Sequence, residues 1–150
     1  MATCTGNVPS GSNIDTSTVG SKTFTVTATD SAGSETTKTV TYNVVYQFSG
    51  FLAPLKGKRV VFKAGSTIPV KFQLKDSSGN YVSSAAAQIL VDLSPGKSSG
   101  RSNIGNNFRY DTTSNQYVFN LSTKGLAKGP HVIYATLNDG STYSVNITLK

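Results

Sequence analysis

One histidine, one cysteine and seven carboxylates hold most of the reactive chemistry of this 150-residue chain. Nucleophilic catalysis needs a nucleophile, a base and a group that orients the base. The only imidazole is His131, at a strand start beside Pro130, where a surface or partly satisfied histidine is expected rather than a base. Glycoside hydrolysis needs two carboxylates ~5–10 Å apart. Asp15, Asp30, Glu35, Asp76, Asp92, Asp111 and Asp139 are spread thinly, and most fall in turns. A calcium loop needs several carboxylates around one point, whereas the turns Asp30-Ser31-Ala32-Gly33, Asp76-Ser77-Ser78-Gly79 and Asn138-Asp139-Gly140 each carry one. Cys4 alone cannot form an internal disulfide or a multi-cysteine metal site, and a single histidine excludes paired-histidine zinc motifs. The sequence points to no catalytic residue, no metal ligand and no cofactor, and an enzyme is not expected.

The formal net charge is +7. Residues 1–50 hold Lys22 and Lys38 against Asp15, Asp30 and Glu35, while residues 51–150 hold the other 12 basic groups against Asp76, Asp92, Asp111 and Asp139. The excess therefore lies wholly in the second part. A basic domain attracts polyanions such as acidic glycans and envelope polymers. Lys56, Lys58, Arg59 and Lys63 form the one cluster, and Lys97 and Arg101 lie in the polar stretch SPGKSSGRSNIGNN, 94–107, which reads as a flexible loop. These six are the candidate polyanion contacts, although the same composition also describes an ordinary solvated surface. Specific nucleic-acid binding is not expected. No apolar run approaches the ~18 residues of a membrane helix, and no basic-then-apolar leader follows Met1, so neither a membrane span nor a signal peptide is expected in this chain.

Period-two alternation dominates the elements that would carry these groups. In KTFTVTAT, 22–29, Phe24, Val26 and Ala28 face one way and the threonines the other. In TVTYNVVY, 39–46, the apolar face is Val40, Tyr42, Val44 and Tyr46; IPVKFQLK, 68–75, and TYSVNITL, 142–149, repeat the pattern. Further strands are predicted near 59–63, 88–93, 107–110, 116–121 and 131–137. The one stretch with helical potential, SSAAAQILVDL, alternates at Ile89, Val91 and Leu93, so its second half is predicted as strand. Most Tyr and Phe side chains fall on inward faces, with Tyr110 and Tyr117 open, because Phe108 and Phe119 can fill the core beside them. Short strands punctuated by Gly, Ser, Asn and Asp describe an all-β, antiparallel sandwich.

Gly20 precedes Phe24 by four residues and Asp30 by ten, and Gly129 precedes Ile133 and Asp139 by the same intervals. Such self-similarity implies tandem copies of one module. The second copy has sequence for a whole sandwich, 55–150. The first, 1–48, has only its closing hairpin, and the aromatic-rich YQFSGFLAPL places a junction at 49–54. The hairpin's apolar face, Phe24, Val26, Ala28, Val40, Tyr42 and Val44, has no evident cover, since GNVPSGSNIDTSTVG offers only Val8 and Ile14 as anchors. A lone hairpin is marginal in water and its open edges invite pairing, so self-association through this face is expected. At the other end, the buried face fixes a three-residue loop, Asn138-Asp139-Gly140, because a two-residue loop would put Ile133 and Ala135 on one face with Ser144 and Asn146 rather than with Tyr143 and Val145.

KAGSTIPVKFQLKDSSGNYV followed by FRYDTTSNQYVFNLSTKGLAKGPHVIYATLNDGSTYSVNITLK resembles the PxKF-type module of bacterial secreted and surface proteins, whose name motif matches Pro69, Val70, Lys71 and Phe72. IDTSTVGSKTFTVTATDSAGSETTKTVTYNVVYQFSGF is similar to the end of the Ig-like or HYR-like repeat that commonly precedes it. The resemblance covers nearly the whole chain. It implies an antiparallel immunoglobulin-like β-sandwich preceded by a partial immunoglobulin-like module, an extracellular or cell-surface location, neighbouring domains of a larger parent protein as partners, and no assigned activity. It also implies that Cys4, whose usual partner lies in the absent upstream half, is a free thiol. Where similar repeats carry Asn after the turn glycine, this chain has Ser34. Within the motif, Pro69 lacks a backbone donor and belongs at an edge or a strand start, and Lys71 points to solvent. Two readings follow: a non-catalytic structural or spacer module, and an accessory module that binds a polysaccharide or polyanion.

Overall fold

A computed structural model describes residues 2–57 and 60–150; Lys58 and Arg59 of the basic cluster lie outside the described residues. Among the described residues twelve strands form: β1 Thr3–Gly6, β2 Gly20–Thr29, β3 Glu35–Val44, β4 Gln47–Phe51, β5 Val61–Phe62, β6 Thr67–Lys75, β7 Ala87–Val91, β8 Ser94–Pro95, β9 Arg109–Asp111, β10 Gln116–Ser122, β11 Gly129–Leu137 and β12 Thr142–Leu149. They divide into two compact units, Met1–Val45 and Tyr46–Lys150.

The first unit is a single antiparallel sheet in the order β1-β2-β3. The predicted hairpin is present and gains β1, which pairs Cys4 with Ala28 and Gly6 with Val26. Apolar anchors are not what recruits β1: its backbone completes the ladder, and Gly6 leaves room for the Phe24 ring, which a Cβ there would approach to 3.3 Å. Directly opposed residues share a face. The register Phe24↔Val40, Lys22↔Tyr42, Val26↔Lys38 therefore interleaves two lysines with the apolar residues. The other face is threonine, with hydroxyl pairs Thr25–Thr39 and Thr27–Thr37 at 3.0 Å. Strand β3 stops at Val44, opposite Gly20, so Tyr46 does not extend its face as the alternation predicts.

The second unit has one sheet in the order β4-β6-β10-β9 and another in the order β5-β12-β11-β7-β8. This is the strand order of an immunoglobulin-like sandwich, with β5 added parallel to β12 through Val61↔Thr148 and Leu149↔Phe62. The alternating inward residues of both sheets make one core, including Val70, Phe72, Phe119, Ile89, Ile133 and Ile147, each at most 2% exposed. Residues 47–51, read partly as junction, are an edge strand: Phe48 opposes Leu74 and Phe51 opposes Phe72. Phe48 stacks on Tyr143 at 3.9 Å between ring centroids. Tyr46, Phe48 and Phe51 all pack against this core. Pro69 sits in β6, an internal strand, but β4 follows β6 only as far as Lys71, whose carbonyl takes the Leu52 N–H at 2.8 Å. At Pro69 the strand has a partner on one side only, and a residue without a donor is tolerated there.

The predicted three-residue loop at 138–140 is observed. Leu137 N–H bonds Ser141 C=O at 2.9 Å, Gly140 has φ 86°, and Ile133 stands opposite Val145. The turns at Asp30 and Asp76 close in the same way, with N–H to Ser34 and Asn80 C=O at 3.0 Å each. In those two the aspartate is the residue before the loop, whereas Asp139 lies inside its loop. The equal ten-residue spacing therefore does not mark equivalent positions. Gly20 and Gly129 do share a role, each opening a strand at positive φ, 120° and 130°.

The 94–107 stretch is not a free loop. Ser122 N–H bonds Lys97 C=O at 2.8 Å and Ser99 N–H bonds Asn120 C=O at 2.7 Å, so the segment pairs with β10 beyond the end of β9. Asn103, 7% exposed, gives its amide N–H to Val118 C=O at 2.9 Å and accepts Asn120 N–H at 3.2 Å, standing in for a strand residue.

Candidate functional site

His131 is 9% exposed, on the inward face of β11. Its Nε2 is 2.8 Å from the Ala127 carbonyl and its Nδ1 is 2.5 Å from Asp92 Oδ2. Both partners are acceptors, so both ring nitrogens donate and the imidazolium is the form that fits. The Ala127 carbonyl, then Asp92, raise its pKa above the ordinary histidine value against the effect of burial. Asp92 is lowered in turn, first by the Val132 N–H and then by His131. A base needs a free nitrogen within reach of a nucleophile, and this ring has none. A surface or partly satisfied histidine is expected from sequence; the structure has a buried one with both ring nitrogens bonded. It stands where immunoglobulin-like domains carry a corner tyrosine that bonds back to the backbone.

Each remaining carboxylate of the second unit also holds its own turn. Asp76 is lowered first by the Asn80 N–H, then by the Asn80 side chain; Asp111 first by the Ser114 hydroxyl, then by the Thr113 N–H. Asp139, 8% exposed, accepts Ser141 N–H and Tyr46 N–H at 2.8 Å each. Among the described residues the only ion pairs are Lys22–Asp15 and His131–Asp92. No carboxylate of the second unit meets a lysine or arginine there.

The registers Thr67↔Ser122 and Gly129↔Leu149 bring several turns of the second unit to one end of the sandwich. Thr123 N–H bonds Ser66 C=O at 3.0 Å and Ala64 N–H bonds Lys150 C=O at 2.9 Å. This end therefore gathers Lys63, Lys97, Lys124, Lys128 and Lys150, all exposed. Its aspartate, Asp92, is bound to His131. Asp76, Asp111 and Asp139 lie at the opposite end, where Asp139 meets Tyr46. Of the six predicted polyanion contacts, Lys63 and Lys97 meet here. Lys56 lies on the crossover from β4 to β5, and Arg101 lies in the 98–103 segment on β10. Lys124, Lys128 and Lys150 were not singled out from sequence, because only the long-range registers join them to Lys63.

At the same end is a cleft of about 120 Å³. Val91, Pro95, Leu121 and Leu126 give it an apolar lining, and Lys97 and Lys124 are its charged residues. Gly96 forms part of its wall by necessity: a Cβ there would lie 2.8 Å from Ile89 Cγ2.

In the first unit the six predicted self-association residues share one face with Cys4, which is free and exposed. Lys22 on that face pairs with Asp15, and Tyr42 Oη donates to the Asp15 carbonyl at 3.0 Å, so the 15–18 segment covers one end of the face. Val40 remains 53% exposed. Among the described residues no group of three or more metal-ligating side chains occurs, and no helix is long and apolar enough to cross a membrane.

No family model matches the chain. No curated protein matches it either. Solved structures similar to it include the fibronectin(III)-like modules of Clostridium thermocellum CbhA, at 16% identity over 88% of this chain and 63% of that one, TM-score 0.38. Domains 4 and 5 of the S-layer protein SbsC share 18% identity over 85% of this chain and 57% of that one, TM-score 0.40. A chimeric titin Z1Z2 tandem shares 20% over 86% and 63%, TM-score 0.36. The chain spans about three fifths of the length of these three. The assignment of an immunoglobulin-like sandwich stands on strand order and register.

Proposed function

We propose that the chain is a non-catalytic structural module of a larger bacterial extracellular or cell-surface protein, of the PxKF type and preceded by the end of an Ig-like repeat. The observation that carries this reading is the path of the chain through the second unit. It enters beside Asp139 at one end of the sandwich, and β12 ends at the other. Tension between the two ends runs along the strands and loads the β5–β12 pairing in shear. Thr148 N–H to Val60 C=O and Lys150 N–H to Phe62 C=O, at 2.9 Å each, must then break together rather than in sequence. The first unit has no buried side chain among its described residues. Force spectroscopy of the full chain between marker domains tests the proposal. The second unit should unfold in one step, releasing roughly 35 nm for its 105 residues, at a force well above that of the first unit. Extension of the second unit without a force peak would contradict a load-bearing role.

A second reading, a polyanion-binding accessory module, is favoured by one observation. The carboxylates of the second unit are engaged in turns and at His131, and among the described residues none of its lysines or arginines is paired with one of them. Retention on a heparin column that persists beyond modest salt would support it, and loss at modest salt would show non-specific charge alone.

A further inference from the structure

We propose that the lysine-rich end of the second unit binds an anionic polysaccharide, one uronate residue of which sits in the cleft with its carboxylate at Lys97 and Lys124. The inference rests on the polyanion reading and assigns it a site and a ligand class. The cleft, about 120 Å³, is well below the ~300 Å³ or more of pockets that hold a drug-sized molecule. It suits one ring of a polymer rather than a free-standing ligand. Its lining is mainly aliphatic, which matches the C–H face of a sugar ring, and its two charged residues are both cationic. Lys63, Lys128 and Lys150 lie around the same end and would meet charges on neighbouring rings. The turn between two lining strands, Asp92-Leu93, holds Leu93 at 74% exposure and extends the apolar surface.

Other anions fit less well. Single-stranded nucleic acid is held by aromatic side chains on which bases stack, and no aromatic residue lines this cleft. Phosphate and sulfate groups favour the arginine fork, which the lining lacks. Among the described residues the aspartate at this end, Asp92, is held by His131 and the Val132 N–H, so the imidazolium offsets its charge.

Amide chemical shifts of the full chain, followed while oligogalacturonate is added, test the site. Separate titrations use a heparin fragment, neutral dextran and phosphatidylglycerol vesicles. Oligogalacturonate is expected to move Gly96, Ser122, Gly125 and Leu126, and dextran to move nothing. The double variant Lys97→Gln/Lys124→Gln should weaken binding by about tenfold or more. Lys71→Gln/Lys75→Gln, the same charge change on the outer face of β6, should weaken it by less than about threefold. Equal weakening by both variants, or tighter heparin binding without shifts at the cleft, would overturn the site while leaving the polyanion reading in place. Binding to vesicles but not to the glycan would replace the glycan with a lipid surface. Absence of binding to every anionic probe would overturn both the site and the reading.

Discussion

The Asp139 carboxylate accepts the Tyr46 N–H at 2.8 Å, across 93 residues of sequence. It joins the last hairpin of the second unit to the point where the chain enters that unit. Neither residue is conspicuous in the sequence, where Asp139 reads as a turn residue and Tyr46 as the end of an earlier strand. Asp139→Ala leaves the Tyr46 and Ser141 N–H groups without their acceptor. The expected loss is about 1–3 kcal/mol of the second unit's stability, read by urea denaturation followed through tyrosine fluorescence. Asp139→Asn, which keeps an acceptor oxygen, should lose less.

His131 gives the chain a pH dependence whose sign is fixed by its partners. Its folded pKa is raised, so its contribution is fully present below the ordinary histidine value and is lost as pH rises through the folded value. Asp92 is lowered, so its contribution is present above the ordinary carboxylate value of 3.8 and is lost as pH falls through the folded value. The pair stabilises most between the carboxylate and histidine ranges. There is one histidine in the chain, so a proton NMR titration reads it without ambiguity. The expected midpoint lies above 6.5, and a midpoint at or below it would contradict the imidazolium bridge.

Tyr117 is 2% exposed, and its hydroxyl bonds Val82 C=O and Ala85 N–H at 2.9 Å each. Burial pushes its pKa up to about 12. In an alkaline titration followed by tyrosinate absorbance, one tyrosine should ionise late or only on unfolding. Tyr117→Phe should remove that late step and cost about 1–3 kcal/mol, because it strands the Ala85 N–H in the connection between β6 and β7.

Strand positions were legible because alternation is a local signal. Ile133, Val145 and Gly140 fix one hairpin loop between them, and that loop has the predicted length and register. The partners of β1 and β4 were not legible: both are edge strands held by backbone pairing, and β1 carries no apolar run. Pairings across long sequence separations were also hidden. His131 with Asp92, Asn103 with β10, and Lys63 with Lys97 and Lys124 depend on which strands become neighbours, and alternation within one strand carries no information about that. Charge showed the same limit. The sequence showed a basic second part, but the gathering of lysines at one end follows from the turn positions.

Asp92 and Leu93 form a two-residue hairpin turn with φ of 49° and 67°. This is the turn geometry that favours glycine at its second position, and a leucine held there is strained. Leu93→Gly should stabilise the second unit by about 1 kcal/mol, the relief of strain exceeding the added freedom of the unfolded chain. A thermal melt with an unchanged or lower midpoint would contradict it.

The central claim is that the second unit bears load through the β5–β12 pairing. Thr148→Pro removes the N–H that reaches Val60 C=O without removing a bond to β11. The most direct test compares the force at which the second unit unfolds in the wild type and in Thr148→Pro, pulled between its two ends in the full chain. The account predicts a clear drop in force, with the same length released. An unchanged unfolding force would contradict it.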